Sequence, residues 1–143
     1  MPTPRYVLDT NILVHHVRGD ATWDRIRDDY QLLLIEPKPI ISIATTAELK
    51  SLSKQFHWGR AKLDKMDFLL GYLDEIPIDD DKLVDHYATI DAHTQNRGEK
   101  MGKNDLWIAA TALLADATLL TTDTDFDRLH PHFLNVECIE PVR

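Results

Sequence analysis

The chain has 143 residues, 43% hydrophobic and 28% charged, with a formal net charge of −8 from 16 Lys and Arg against 24 Asp and Glu. That length suits one domain with a proper core, residues 1–143, and no apolar run approaches the roughly 20 residues of a membrane span, so no membrane partner is expected. The acidic balance disfavours a protein that merely coats nucleic acid, but not one that meets phosphates through divalent cations held by its carboxylates.

Residues 1–5 lead straight into a strand-like run without a signal-peptide core, so export is not expected. The single Cys138 excludes an internal disulfide, and no Cys/His zinc spacing is present. A reducing cytoplasm is the expected location.

Tyr6, Val7 and Leu8 predict a first strand ending at Asp9. Residues 10–17 then predict a helix, capped by Asp9 or Thr10 and ended by Gly19. Residues 20–29 read as a short helix with Trp23 and Ile26 on one face; residues 32–35 fit either its continuation or a strand. Pro37 and Pro39 mark a turn. Residues 40–43 predict the second strand, followed by a helix to about Phe56 in which Thr45 and Glu48 have capping-box spacing. After Gly59 comes an amphipathic helix, 60–73.

Residues 76–78 predict a short strand, and Pro77 marks it as an edge, since proline donates no ladder hydrogen bond. Asp79, Asp80 or Asp81 caps the next helix, which runs to about Arg97 with Leu83, Val84, Tyr87 and Ile90 inward. A polar loop, 98–102, precedes Asn104, a good N-cap, and the helical run 106–115, which is apolar nearly all round and so buried on most faces. Residues 118–121 predict an interior strand, with Asp123 and Asp125 just beyond it, and residues 133–139 supply the last strand. Strands alternating with helices predict an α/β domain: a mostly parallel sheet of four to five strands with helices on both faces. Such sheets bind ligands beyond the carboxyl ends of the strands, near the switch in strand order.

The carboxylates fall where that rule points. Asp9, Glu48 and Asp123 each follow a strand or lie one turn into the next helix, and Asp105 opens a helix. In a parallel sheet the first three gather at one rim, and Asp105 joins them if its helix starts there. Each position also has a local explanation: Asp9 as a cap, Glu48 as a capping-box partner, Asp105 at a helix dipole, Asp123 and Asp125 as turn formers, with Thr122 and Asp125 spaced as another box. Together, however, such carboxylates repel one another and call for a proton or a cation. A hard ion such as Mg2+ or Mn2+ fits an all-oxygen set and suits phosphodiester hydrolysis.

The segments around Val7-Leu8-Asp9-Thr10-Asn11, Thr45-Thr46-Ala47-Glu48-Leu49, Asn104-Asp105-Leu106-Trp107 and Thr121-Thr122-Asp123-Thr124-Asp125 together resemble the PIN-domain ribonucleases, and within them the small VapC-type toxins of prokaryotic toxin–antitoxin pairs. The segments stand in family order and spacing across nearly the whole chain. The resemblance implies a PIN-like three-layer fold and an Mg2+- or Mn2+-dependent endoribonuclease acting on single-stranded or loop RNA. It also implies a homodimer neutralised by a cognate antitoxin lying across the active groove.

Asp9, Glu48 and Asp105 match the family's regular acidic positions and Asp123 its more variable fourth, which Asp125, two residues on, is placed to supplement; Asn11 and Thr121 match supporting polar positions. The implied mechanism has no protein nucleophile. Asp9, Asp105 and Asp123 hold the main ion, Glu48 holds a second or orients the attacking water, and the products carry a 5′ phosphate and a 3′ hydroxyl. Two other readings remain: a PIN-like nuclease of RNA processing or DNA cleavage, and a PIN-like module that only binds a partner. Retention of all four acidic positions speaks against the last.

Arg97, Lys100 and Lys103 surround the loop that ends at Asp105 and are candidates for tracking RNA phosphates. Arg60, Lys62 and Lys65 read instead as a solvated, salt-bridged face. The seven His residues show no joint chelation spacing, and Trp23, Trp58 and Trp107 read as core or interface. Met66, Phe68, Leu69, Leu70 and Leu73 give one helix more apolar surface than a single face needs, which suits a dimer or antitoxin contact.

Overall fold

The computed structural model describes residues 4–143; residues 1–3, part of the segment read above for an export signal, lie outside it. The elements in chain order are β1 (Tyr6–Leu8), α1 (Thr10–Arg18), α2 (Ala21–Tyr30), β2 (Ile40–Ser42), α3 (Ile43–Gln55), α4 (Arg60–Tyr72), β3 (Asp74–Ile76), α5 (Asp81–Asn96), α6 (Lys103–Ala115), β4 (Thr118–Thr121), a 3-10 helix (Thr124–Leu129) and β5 (Val136–Cys138). The strands form one sheet in the order β3-β2-β1-β4-β5, and every pairing is parallel. The sheet grows from β1 towards β2 on one side and β4 on the other, so the switch in strand order lies between β1 and β4.

The alternation of strand side chains builds the three layers. Val7, Ile40 and Leu119 enter one core with Ile90, Leu106, Ile108 and Phe126, under α5, α6 and the 3-10 helix. Their neighbours Leu8, Ile41 and Leu120 enter the other, with Ile12, Trp23, Leu49 and Leu69, under α1 to α4. Central parallel strands covered on both faces need continuous apolar runs, and these strands have them. Helix α6 is buried from Leu106 to Ala112 except at Trp107, which lies half-buried against Tyr87 at 4.2 Å between ring centres. Among the described residues, no helix is long and apolar enough to cross a membrane.

Several boundaries differ from the sequence expectation, each for a local reason. β2 ends at Ser42, whose hydroxyl accepts from the Ala44 N–H at 3.0 Å and caps α3; Thr45 and Glu48 therefore lie inside the helix and form no capping box. β3 is Asp74–Ile76 rather than 76–78, so Pro77 lies past it. The strand is still at an edge, with Asp74 and Glu75 exposed. Residues 32–35 are neither helix nor strand: Gln31 takes a left-handed conformation at φ 52° and ends α2, leaving Leu32 buried in a turn and Leu34 exposed. Val84 is exposed rather than inward, because Leu83, Tyr87 and Ile90 already define the stripe that α5 turns to the core. The cap of α5 is Asp80. The last strand is confined to Val136–Cys138, the length paired with β4.

Candidate active site at the strand C-termini

Asp9 leaves β1 at the switch in strand order. Its N–H reaches the Leu120 carbonyl of β4 at 3.0 Å, continuing the ladder, and its side chain caps α1 by accepting from the Thr10 N–H at 2.8 Å. The other carboxylate oxygen accepts from the Thr121 hydroxyl of β4 at 2.7 Å. Asp9 is 4% exposed. Burial, with the nearby charges of Asp105 and Glu48, pushes its carboxyl up to about 7, although the Thr121 and Thr10 hydrogen bonds oppose the rise.

Asp105 lies in the first turn of α6, half-buried, and is pushed up to about 6 by burial and by the charges of Asp123, Glu48 and Asp125. Glu48 projects from the second turn of α3, and its Oε2 accepts from the Asn104 Nδ2 at 3.1 Å. Asp123 follows β4; its N–H donates to the Thr121 Oγ1 at 2.9 Å, and its Oδ1 accepts from the Asp125 N–H, capping the 3-10 helix. No Thr122–Asp125 capping box forms. Asp105 thus stands at the centre of the group, within electrostatic reach of Asp9, Glu48, Asp123 and Asp125. Asp125 stands further out, exposed, with Arg128 at 3.7 Å.

The supporting positions are also at this rim. Asn11 Oδ1 accepts from the Thr122 N–H at 3.3 Å, tying α1 to the segment after β4, and Thr121 bridges Asp9 and Asp123. Three pairings escaped sequence reading. Thr10 and Thr45, both buried, join α1 to α3 through their hydroxyls at 3.2 Å. Asn104, expected as the cap of α6, leaves that place to Gly102 and bonds Glu48 instead. Arg128 donates to the Glu99 carbonyl at 2.6 Å and fastens the polar loop to the 3-10 helix; only its three-residue spacing from Asp125 hinted at this.

Of the basic candidates, Arg97 is paired with Glu99 at 3.0 Å, whereas Lys100 and Lys103 are exposed and form no ion pair among the described residues. Arg60 pairs with Asp64 at 3.8 Å on a solvated helix face. The histidines serve locally: His15 meets Asp20 at 2.7 Å and His16 meets the Lys65 carbonyl at 2.9 Å.

The donor set fits a hard divalent cation by its chemistry. It is all carboxylate, Asp9 and Asp105 are held up by burial and by neighbouring acidic charges, and among the described residues no Lys or Arg pairs with Asp9, Glu48, Asp105 or Asp123. It is not a closed cage: among the described residues, no three such groups stand close enough to enclose an ion as they are. An open set is compatible with Mg2+, which keeps several of its waters and takes one or two carboxylates directly.

Comparison with known proteins bears on the family and the fold. The PIN domain family profile matches residues 6–130. The chain is 31% identical over 128 residues to Ribonuclease VapC2 of Rickettsia felis, covering 87% of this chain and 91% of that protein. The fold is similar to that of VapBC2 from Rickettsia felis, solved bound to a DNA fragment from its promoter, with a TM-score of 0.76, 26% identity and coverage of 94% and 98% of the two chains. It is also similar to VapBC-5 of Mycobacterium tuberculosis, a member of the VapBC family of toxin–antitoxin systems, with a TM-score of 0.68, 25% identity and coverage of 96% and 98%.

Proposed function

This chain belongs to the PIN-domain family, and from that premise we propose that it is a ribonuclease, the toxin of a toxin–antitoxin pair. In this reading it cuts single-stranded or loop RNA with Mg2+ or Mn2+. The observation that supports it most is the gathering of Asp9, Glu48, Asp105 and Asp123, drawn from four separate segments, at the switch in a parallel sheet.

Asp9, Asp105 and Asp123 are the residues proposed to hold the ion, with Glu48 holding a second or orienting the attacking water. A bound Mg2+ or Mn2+ supplies polarisation of a phosphoryl oxygen, an acidified water and charge relief at the leaving oxygen. The protein's own part is placement. Thr121 and the Thr10 N–H hold Asp9 in one orientation, and α6 carries Asp105 on its first turn. Water attacks phosphorus, the bond to the 3′ oxygen breaks, and the products carry a 5′ phosphate and a 3′ hydroxyl. Lys100 and Lys103, exposed just ahead of Asp105 in the chain, are the residues proposed to attract the RNA backbone.

The cognate antitoxin is the proposed inhibitor. A second copy of this chain is the proposed partner at α4, where Phe68 is 55% exposed and lies parallel to Tyr72 at 6.3 Å between ring centres. The protein works as one domain in the cytoplasm, where its RNA is.

The decisive experiment has two arms. Induced expression is expected to arrest growth, with relief on coexpression of the antitoxin, and the purified protein is expected to cut RNA in Mn2+ but not in EDTA. Normal growth on induction, together with intact RNA at saturating Mn2+, would overturn the reading. Cleavage of DNA alone would point to a different PIN nuclease, and partner binding without any cleavage to a silent module.

A further inference from the structure

Asn104 occupies the second position of α6, beside Asp105, and its side-chain amide donates to Glu48 Oε2 across the gap to α3. The helix does not need it. Gly102 is the cap, no side chain caps this end, and asparagine within the first turn contributes less to helix stability than alanine would. Its placement is explained by Glu48 instead. That carboxylate ends a flexible side chain, and ordering such a chain has an entropic cost. Its hydrogen bond to Asn104 is its only side-chain bond among the described residues, which leaves Oε1 open.

The neutrality of the amide matters as much as its reach. A Lys or Arg at this position would pair with Glu48 and cancel the charge that attracts a cation. An Asp would add a like charge beside Glu48 and Asp105. An amide holds the carboxylate without neutralising it.

We infer that Asn104 is a positioning residue: it fixes one oxygen of Glu48 and leaves the other for the cation or the attacking water. The inference rests on the ribonuclease reading and adds to it a role for a residue outside the acidic set. Removing a partner that orients a metal-binding side chain commonly costs ten- to a hundredfold in metal affinity or activity. For Asn104, whose bond is exposed to solvent, the lower end of that range applies.

The test compares wild type, Asn104→Ala, Asn104→Gln, Glu48→Gln and Asn104→Ala/Glu48→Gln, using Mn2+ calorimetry, steady-state cleavage of a single-stranded RNA and thermal melts. Asn104→Ala is expected to melt at or above the wild-type temperature. It should bind Mn2+ roughly tenfold more weakly and lose kcat by a similar factor, with the KM for RNA unchanged. Asn104→Gln, which keeps the amide, should recover part of both losses. In the Glu48→Gln background, Asn104→Ala should cost nothing further.

Wild-type Mn2+ affinity and kcat in Asn104→Ala, or a loss that adds in full to that of Glu48→Gln, would overturn the inference and leave the ribonuclease reading standing. A wild type that neither binds Mn2+ nor cuts RNA would overturn the ribonuclease reading, and this inference with it.

Discussion

The Thr121 hydroxyl donates to Asp9 Oδ2 at 2.7 Å, joining residues 112 positions apart across the two strands that flank the switch in the sheet. Both residues are buried, so this contact exists only when β1 and β4 are paired in register, Leu8 opposite Leu120. Folding and assembly of the site are therefore one event.

Replacing Asp105 or Asp9 by Asn should lower Mn2+-dependent cleavage by roughly two orders of magnitude or more, because each removes a charge that the reaction uses and keeps the shape. Circular dichroism and gel filtration should match wild type. Full activity in Asp105→Asn would contradict the assignment.

Stability should fall with rising pH in the ion-free protein. Folded Asp9 keeps its proton to about pH 7, against a usual value of 3.8, and Asp105 is held up to about 6 in the same sense. Between the unfolded and folded values the folded chain binds more protons. The stabilisation is thus complete below about pH 4 and lost as pH rises through about 7. In EDTA the melting temperature should be higher near pH 5 than near pH 8, and Asp9→Asn should flatten the dependence. Mn2+ should restore the wild type near pH 8. A melting temperature that climbs through this window in EDTA would contradict the prediction.

Thr10→Val or Thr45→Val alone should destabilise by about 1–3 kcal/mol, because each leaves the partner hydroxyl buried without its bond. The double variant should cost less than the sum of the two, since both hydroxyls are then gone. Denaturant unfolding of the four proteins checks this; strict additivity would mean that the hydroxyl pair is not coupled.

Lys100→Ala and Lys103→Ala should each weaken RNA binding and lower the slope of log affinity against log salt by about 0.7, one phosphate contact on a single strand. Equilibrium binding to Asp105→Asn protein at several salt concentrations reads this without cleavage. Arg97→Ala should do less, because its guanidinium is already engaged by Glu99.

The parallel sheet, its two covered faces and the rim position of Asp9, Glu48, Asp105 and Asp123 were all legible in the sequence, because apolar runs and the residues that follow them report strand ends directly. What was hidden depended on pairs. Thr45 and Glu48 look like a capping box until Ser42 takes the cap, and Asn104 looks like a cap until Glu48 is found beside it. Pro77 pointed to an edge strand that ends one residue before it. Local spacing names the side chains able to form such bonds, whereas the choice among competing partners is made by tertiary packing.

Val7 and Leu8 enter opposite cores, and Asp9 comes next. One extra residue within β1 would exchange the two faces and at the same stroke carry the carboxylate away from Thr121. The turn between β3 and α5 is under no such constraint: residues 77–79 are exposed. Among variants of this protein, insertions and deletions should therefore accumulate around residues 77–79 and be absent from the three residues ahead of Asp9, making tolerance of length changes a map of which segments set the chemistry and which merely connect them.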